Sequence, residues 1–332
     1  QAGEALVTMS DSRYRTYALE AGDIHLTLDQ SDTLRKSLTI SSPVLDGSIE
    51  GHFDLGHLGR LVRFETHNAA LALNENFARF DSLFRTEVDT VALARLRKTL
   101  EKEQRTVDCT YDVHLQDLEL VSLAVGEREF NGAAKLDGTL RGTLRSLTAT
   151  THLAVQEFYY GDVASGLLVE NGDLVVKAVN LKPDISYHDA DLQVQATARL
   201  LNISSTELDS LGVDIRLKDR QAPFHIYGSY NREVQLDLRG RATLHDDTVY
   251  CMVDEAHAGY RGLQWDVDPG ARFVLRPEEI AVRGVVLRRQ ESEITVGGAL
   301  GPGNALSALV KGTALNLRDI GALSSGSEQS AD

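Results

Sequence analysis

The stretch Leu136-Asp137-Gly138-Thr139-Leu140-Arg141-Gly142-Thr143-Leu144 alternates without a slip. Its even positions are apolar or glycine, and its odd positions are charged or hydroxylated. Successive side chains on a strand point to opposite faces, so the stretch predicts a strand with one apolar and one wet face. The pattern recurs at 45–53, at 189–200 and at 234–244. One-sided strands have two ways to hide their apolar faces. A second sheet covers them, or the sheet curls until the faces meet.

Taken in order, the chain opens with strands at Ala5–Val7, Ile24–Asp29, Leu38–Ile40 and Leu45–Leu55, an N-terminal β segment over 1–55. The period then changes. Leu58, Leu61 and Val62, followed by Phe77, Phe80, Phe84, Val88 and Val91, recur at helical spacing. Asp89 or Thr90 can cap a further piece carrying Leu93, Leu96 and Leu100, with Arg95, Arg97, Lys98 and Lys102 placed late, where they suit the helix dipole. Residues 56–105 therefore read as a helical insertion. It serves either as a plug, cap or docking element, or as packing against an open sheet edge.

Strands return over 106–323. Tyr111–Leu115 and Leu118–Leu120 alternate in opposite phase, which places a bulge or turn near Gln116-Asp117. Asn171-Gly172 is a hairpin signal, Pro223 marks a turn, and Asp246-Asp247 and Asp268-Pro269-Gly270 mark two more. Phe273–Leu275, Ile280–Leu287, Ile294–Leu300 and Leu306–Leu317 complete the series, and 324–332 reads as a disordered tail. Turn signals every eight to fifteen residues suit an antiparallel all-β protein. A loose apolar-x-Gly-x-apolar repeat appears at Leu45-Gly47-Ile49, Leu136-Gly138-Leu140 and Leu238-Gly240-Ala242. Such glycines either leave room on the apolar face or permit a strongly curved sheet.

Composition narrows the function. The 332 residues carry a formal charge of −15, which opposes a nucleic-acid partner and broad docking on anionic membranes. Aromatic content of 6% is low for a filled sandwich core, which hints at a smooth apolar face of Leu, Val, Ile, Ala and Gly. Cys109 and Cys251 read as small strand residues rather than a disulfide, and no CxxC is present. No apolar run approaches a membrane span, and Gln1 opens no signal peptide, so a mature or excised segment of something longer is expected.

No catalytic constellation is found. His188-Asp189-Ala190-Asp191 and His245-Asp246-Asp247 read as solvated strand and turn residues rather than metal ligands. Gly301-Pro302-Gly303-Asn304 lacks the context of a phosphate loop, there is no Gly-x-Ser-x-Gly, and Asn202-Ile203-Ser204 is a sequon by pattern alone. Trp265 could stack a sugar beside Tyr260, but the alternation of 263–267 turns it to the apolar face. The expectation is no enzyme, no metal and no cofactor.

Two stretches carry a family resemblance. One is Leu136–Leu200, with its Leu-x-Gly-x-Leu strand, Phe158-Tyr159-Tyr160-Gly161 and Leu181-Lys182-Pro183-Asp184-Ile185. The other is Tyr260-Arg261-Gly262-Leu263-Gln264-Trp265, followed by Ile280–Leu287 and Ile294–Leu300. Their order resembles TamB-like proteins of the AsmA-like group over about two-thirds of the chain. A helical segment before such repeats is also similar to some bacterial members. The resemblance implies an elongated periplasmic β-groove (a β-taco) belonging to an inner-membrane-anchored envelope protein. It implies phospholipid transfer between inner and outer membranes, and outer-membrane protein assembly with a TamA-like barrel. The family's membrane helix and C-terminal domain are not recognisable here, so membrane contact is assigned to regions outside this segment.

The residues alone lead to a similar place. Some fifteen strands in one row at about 4.8 Å spacing would make a groove roughly 70 Å long, apolar inside and suited to acyl chains. The expected lining is Leu45, Ile49, Phe53, Leu136, Leu140, Leu144, Leu192, Val194, Leu200, Val213, Ile215, Leu236, Leu238, Leu244, Leu263, Trp265, Ile280, Val282, Ile294 and Val296. The alternative is a structural or adhesive β-repeat scaffold with a filled core. An enzyme on a β-helix is a third class, and it would want a carboxylate cluster on one face.

Overall fold

A computed structural model describes residues 2–9, 12–14, 17–19, 22–30, 35–77, 89–116, 130–160, 167–181, 191–203, 206–245, 248–276, 279–301 and 306–315. The chain divides into two compact units. One comprises Gln1–Val194 and Ala198–Thr206, and the other Gln195–Thr197 and Glu207–Asp332. The fold class is the expected one: all-β, with antiparallel strands and a short helical insertion.

The first unit holds β1 (Ala2–Met9), β2 (Ser12–Tyr14), β3 (Tyr17–Leu19), β4 (Gly22–Asp29), β5 (Lys36–Ser41) and β6 (Leu45–His52). Helices α1 (Leu55–Phe77) and α2 (Thr90–Glu103) follow, and then β7 (Val107–Leu115), β8 (Phe130–Thr143), β9 (Ser146–Tyr160), β10 (Leu167–Leu181) and β11 (Asp191–Ile203). β2 and β3 pair with each other. β1 pairs with β4, and each strand from β4 to β9 pairs antiparallel with its successor. β6 and β7 are direct neighbours, with Leu45 opposite Leu115. The helices are therefore an excursion between two paired strands. β4 shows the expected alternation most plainly, its residues half-buried and exposed in turn.

Both helices begin on an aspartate. The Asp54 carboxylate accepts from the His57 amide at 2.8 Å, and Asp89 accepts from the Val91 and Ala92 amides at 2.9 Å each. Of the two residues expected to cap the second helix, Asp89 does so and Thr90 opens the helix. α1 buries His57, Leu58, Leu61 and Phe64, while Val62 turns outward at 50% exposure. Phe80, Phe84 and Val88 lie outside the described residues.

The helices pack into one core of Phe53, Leu58, Leu61, Phe64, Leu100, Val107, Cys109, Leu144 and Leu147, flanked by Leu38, Ile49, Leu93, Leu96 and Leu140. The strand residues of this core sit at the start of β5, the end of β6, the start of β7, the end of β8 and the start of β9. In an antiparallel meander these ends share one rim. The helical pair thus caps the apolar face across five strand ends. Among the described residues this core takes its strand members from β5 to β9 and none from an edge strand, the alternative reading of this insertion.

The second unit contains β12 (Thr206–Leu217), β13 (Gln221–Tyr230), β14 (Val234–His245), β15 (Thr248–Tyr260) and β16 (Leu263–Val267). It continues with β17 (Arg272–Arg276), β18 (Glu279–Arg289), β19 (Ser292–Leu300) and β20 (Leu306–Thr313). β12 to β15 form an antiparallel meander. β16 and β17 both lie between β15 and β18, as one strand interrupted at Asp268-Pro269-Gly270. Backbone bonds from Gly270 to the Val253 carbonyl, from Val253 to the Ala271 carbonyl and from Asp268 to the Val286 carbonyl hold the interruption in place. β18 to β20 finish the meander.

Four local readings need correction. Asn171-Gly172 makes no hairpin: it lies inside β10, opposite Gln156 and Val155, where the long ladder with β9 overrides the local turn preference. Pro223 lies in β13 opposite Arg241 rather than in a turn. The reversal is Asp219-Arg220, with φ of 51° and 62°, closed by reciprocal bonds between Lys218 and Gln221. Both central residues are left-handed, as a type I′ hairpin requires. β6 ends at His52, because Asp54 begins the capping turn of α1. β20 ends at Thr313. Leu118–Leu120, Asp246-Asp247 and the tail 324–332 lie outside the described residues.

Candidate functional site

In the first unit, strand register lines apolar residues into rows. Ala5, Leu26, Ile40, Gly47, Val113, Leu136, Leu153 and Leu174 stand opposite one another across eight strands. Leu45, Ile49 and Leu140 share this face, half-buried. Phe53 and Leu144 belong instead to the core beneath the helices, 3% and 4% exposed, and cannot line an open surface.

The second unit repeats the arrangement. Val213, Ile226, Leu238, Ala256, Val267, Leu287, Ile294 and Gly312 form a row across eight strand positions. Ile215, Leu236, Leu244, Leu263, Trp265, Ile280, Val282 and Val296 lie on the same face by register. Part of it is filled: Leu263, Trp265 and Ile294 form a buried cluster, and Leu238 packs on Val253, Ala256 and Ala271. Part is open: Leu236 and Leu300 are 42% and 37% exposed.

In β11, Leu192 and Val194 are half-buried as expected. Leu200 is the exception. Its φ is 48°, it is 41% exposed, and Leu201 is buried in its place. One left-handed residue shifts the alternation by one position, as a bulge does.

The glycine repeat is explained by neighbours rather than by vacant room. A Cβ on Gly138 would strike the Thr150 carbonyl and the Tyr111 hydroxyl, because the Tyr111 side chain crosses the glycine opposite it. Gly240 is likewise covered by the Phe224 ring and closed by the Met252 carbonyl. The two glycines permit close backbone approach in a curved sheet and accept a cross-strand aromatic side chain. Nothing in the sequence marks these pairs, because each partner lies in another strand.

The opposite face is a lattice of ion pairs. His152 bridges Asp137 Oδ1 at 3.0 Å and Asp173 Oδ1 at 3.2 Å, stitching β8, β9 and β10. Its pKa is raised, by the Asp173 hydrogen bond first and that of Asp137 second. His257 pairs with Asp266 at 2.7 Å and Glu255 at 3.4 Å, and Asp266 in the lead raises it too. Arg241 grips both Asp254 oxygens, at 3.0 and 2.9 Å. Bridges of this kind order a solvated surface.

Further groups lie in the helical cap. Glu103 ties α2 to α1 through His57 Nδ1 at 2.7 Å and Arg60 at 2.6 Å. The His57 hydrogen bond leads in holding the Glu103 carboxylate low. Burial alone pushes Glu65 up to about 7. Cys109 and Cys251 are free thiols, the former buried and pushed up to about 11 by its burial. Among the described residues no group of His, Cys, Asp and Glu could hold a metal ion, and no helix is long and apolar enough to cross a membrane.

The chain matches no protein-family model, no curated protein and no solved structure.

Proposed function

We propose that this chain is a non-enzymatic carrier whose apolar faces hold phospholipid acyl chains passing between the inner and outer membranes of a cell envelope. One observation carries the reading. Each unit presents an apolar row in register across eight strand positions, and in the second unit Leu236 and Leu300 on that face are open to solvent. Long stretches of solvent-open apolar surface mark binding sites, and a flat apolar strip with few polar anchors fits an alkyl chain. The likeness of Leu136–Leu200 and Tyr260–Leu300 to TamB-like proteins points the same way. It would place the chain in the periplasm as part of an inner-membrane-anchored protein. A role in outer-membrane protein assembly with a TamA-like barrel would accompany it. A structural scaffold with a filled core is the second reading, favoured by the buried Leu263–Trp265–Ile294 cluster.

Protein purified from a membrane-containing host should carry phospholipid in native mass spectrometry. Leu236→Asp, on the open part of the face, should lower stability by only about 1 kcal/mol and cut lipid loading several-fold. Gln235→Asp adds the same charge to the wet face and should leave loading unchanged. Leu238→Asp, packed against Val253, should cost about 3 kcal/mol or more and test folding rather than transport. Folded, lipid-free wild-type protein, or equal loading of Leu236→Asp and Gln235→Asp, would favour the scaffold.

A further inference from the structure

We infer that Arg272 and Arg283 hold a phosphate group, on the face of the second unit opposite its apolar row. The two arginines are directly opposed across β17 and β18. Arg272 precedes Phe273 and Arg283 follows Val282, a pair on the apolar face, so both arginines belong to the wet face. Both are exposed. Like charges set directly opposite each other destabilise a strand pair.

Among the described residues no carboxylate relieves this pair. On β15 the position opposite Arg272 is Met252, and on β19 the residue facing Arg283 is Gly297. The neighbouring arginines are matched. Arg241 holds Asp254, Arg276 holds Glu279, and Arg288 holds Asp268 and Glu293. The chain has 49 acidic residues against 34 basic ones, so the unmatched pair does not reflect a shortage of carboxylates.

The backbone around the pair is irregular and bare. Arg283 and Gly284 together face Gly297, a bulge in which Gly284 takes a φ of 66°. Bulges re-aim side chains and are over-represented beside functional sites. Two residues before Arg272, Gly270 lies in the strand interruption, held by the Val253 carbonyl. A Cβ on Gly270 or Gly284 would meet nothing within 4 Å, and one on Gly297 only the Val282 carbonyl at 3.7 Å. Three residues beside the arginines thus leave open space, where a ligand can approach the backbone closely.

A phosphate monoester or inorganic phosphate fits this chemistry. A guanidinium offers paired N–H donors that match the oxygens of an oxyanion. One carboxylate brings two oxygens and a single charge, enough for one arginine. A phosphate monoester carries about −1.5 to −2 at neutral pH on three acceptor oxygens, so it can serve both. The site does not rest on the lipid reading, since a filled scaffold would bear the same two arginines.

Inorganic phosphate, titrated at constant ionic strength with chloride as the balancing anion, should bind saturably and raise the melting temperature. Arg272→Gln and Arg283→Gln should each weaken that binding about ten-fold or more. Arg276→Gln removes a matched arginine from the same strand and should change it less than about two-fold. Without phosphate, Arg272→Gln and Arg283→Gln should melt no lower than the parent, since each removes a repulsion. Vesicles of phosphatidylcholine with and without phosphatidic acid identify the source. Retention only with phosphatidic acid, lost in both variants, assigns the phosphate to a lipid headgroup, and binding of inorganic phosphate without retention assigns it to a free anion. Binding of neither overturns the inference. So does an equal rise in melting temperature from chloride alone, binding unchanged in both variants, or a loss of stability in both, which would make the arginine pair structural.

Discussion

The Tyr111 side chain on β7 crosses Gly138, its direct partner on β8, and its hydroxyl reaches Thr151 Oγ1 on β9 at 2.6 Å. Three neighbouring strands are thereby joined through one aromatic side chain, in the middle of the unit's apolar face.

Gly138 should therefore tolerate no side chain. Gly138→Ala brings a methyl group against the Thr150 carbonyl and the Tyr111 hydroxyl, and should destabilise by about 1–3 kcal/mol in urea unfolding. Gly59, in the exposed part of α1, has nothing near its missing Cβ. Gly59→Ala should stabilise by about 0.5–1 kcal/mol. Equal effects at both positions would contradict the crossing of Gly138 by Tyr111.

Stability should depend on pH from both directions. Burial raises the folded pKa of Glu65 to about 7, above its ordinary value of 4.5. The folded chain holds that proton to higher pH than the unfolded chain. The contribution is complete below about 4.5 and is lost as pH rises through 7. Glu65→Gln should thus gain about 1–2 kcal/mol over the parent at pH 8, allowing for screening, and nothing at pH 4. Asp54 and Glu103 act oppositely. The His57 amide leads in lowering Asp54, and the His57 side chain leads in lowering Glu103. Their contribution is present above the ordinary carboxylate range and is lost as pH falls through their lowered values. Thermal melts from pH 3 to 9 separate the two arms, and a Glu65→Gln profile parallel to the parent's would refute the first.

The left-handed Leu200 in β11 reverses what alternation alone suggests. Leu201→Ala removes a buried side chain and should cost about 2–4 kcal/mol, whereas Leu200→Ala should change stability by less than about 1 kcal/mol. Chemical denaturation distinguishes them, and a larger loss at Leu200 would place that residue on the apolar face after all.

Much of this fold is legible residue by residue. The alternation of Ile24–Asp29 and Val234–Leu244, the change to helical spacing after Leu55, and an aspartate before α2 are local facts. Strand and helix periods are properties of the backbone itself and need no knowledge of partners. The same periods placed Leu136, Leu238 and Ile294 on an apolar face.

What surrounds each residue was decided by pairing between distant strands. Asn171-Gly172 has the chemistry of a turn, yet the ladder with β9 draws it straight through β10. Leu200 obeys the alternation of its own strand until one left-handed residue hands its place to Leu201. Tyr111 and Gly138, or Phe224 and Gly240, become partners only when register sets them opposite each other. Phe53 and Leu144 read as lining residues until the helices settle on five strand ends and bury them. Period is local, but register, bulges and the covering of a face depend on contacts across many residues, so only the tertiary structure determined them.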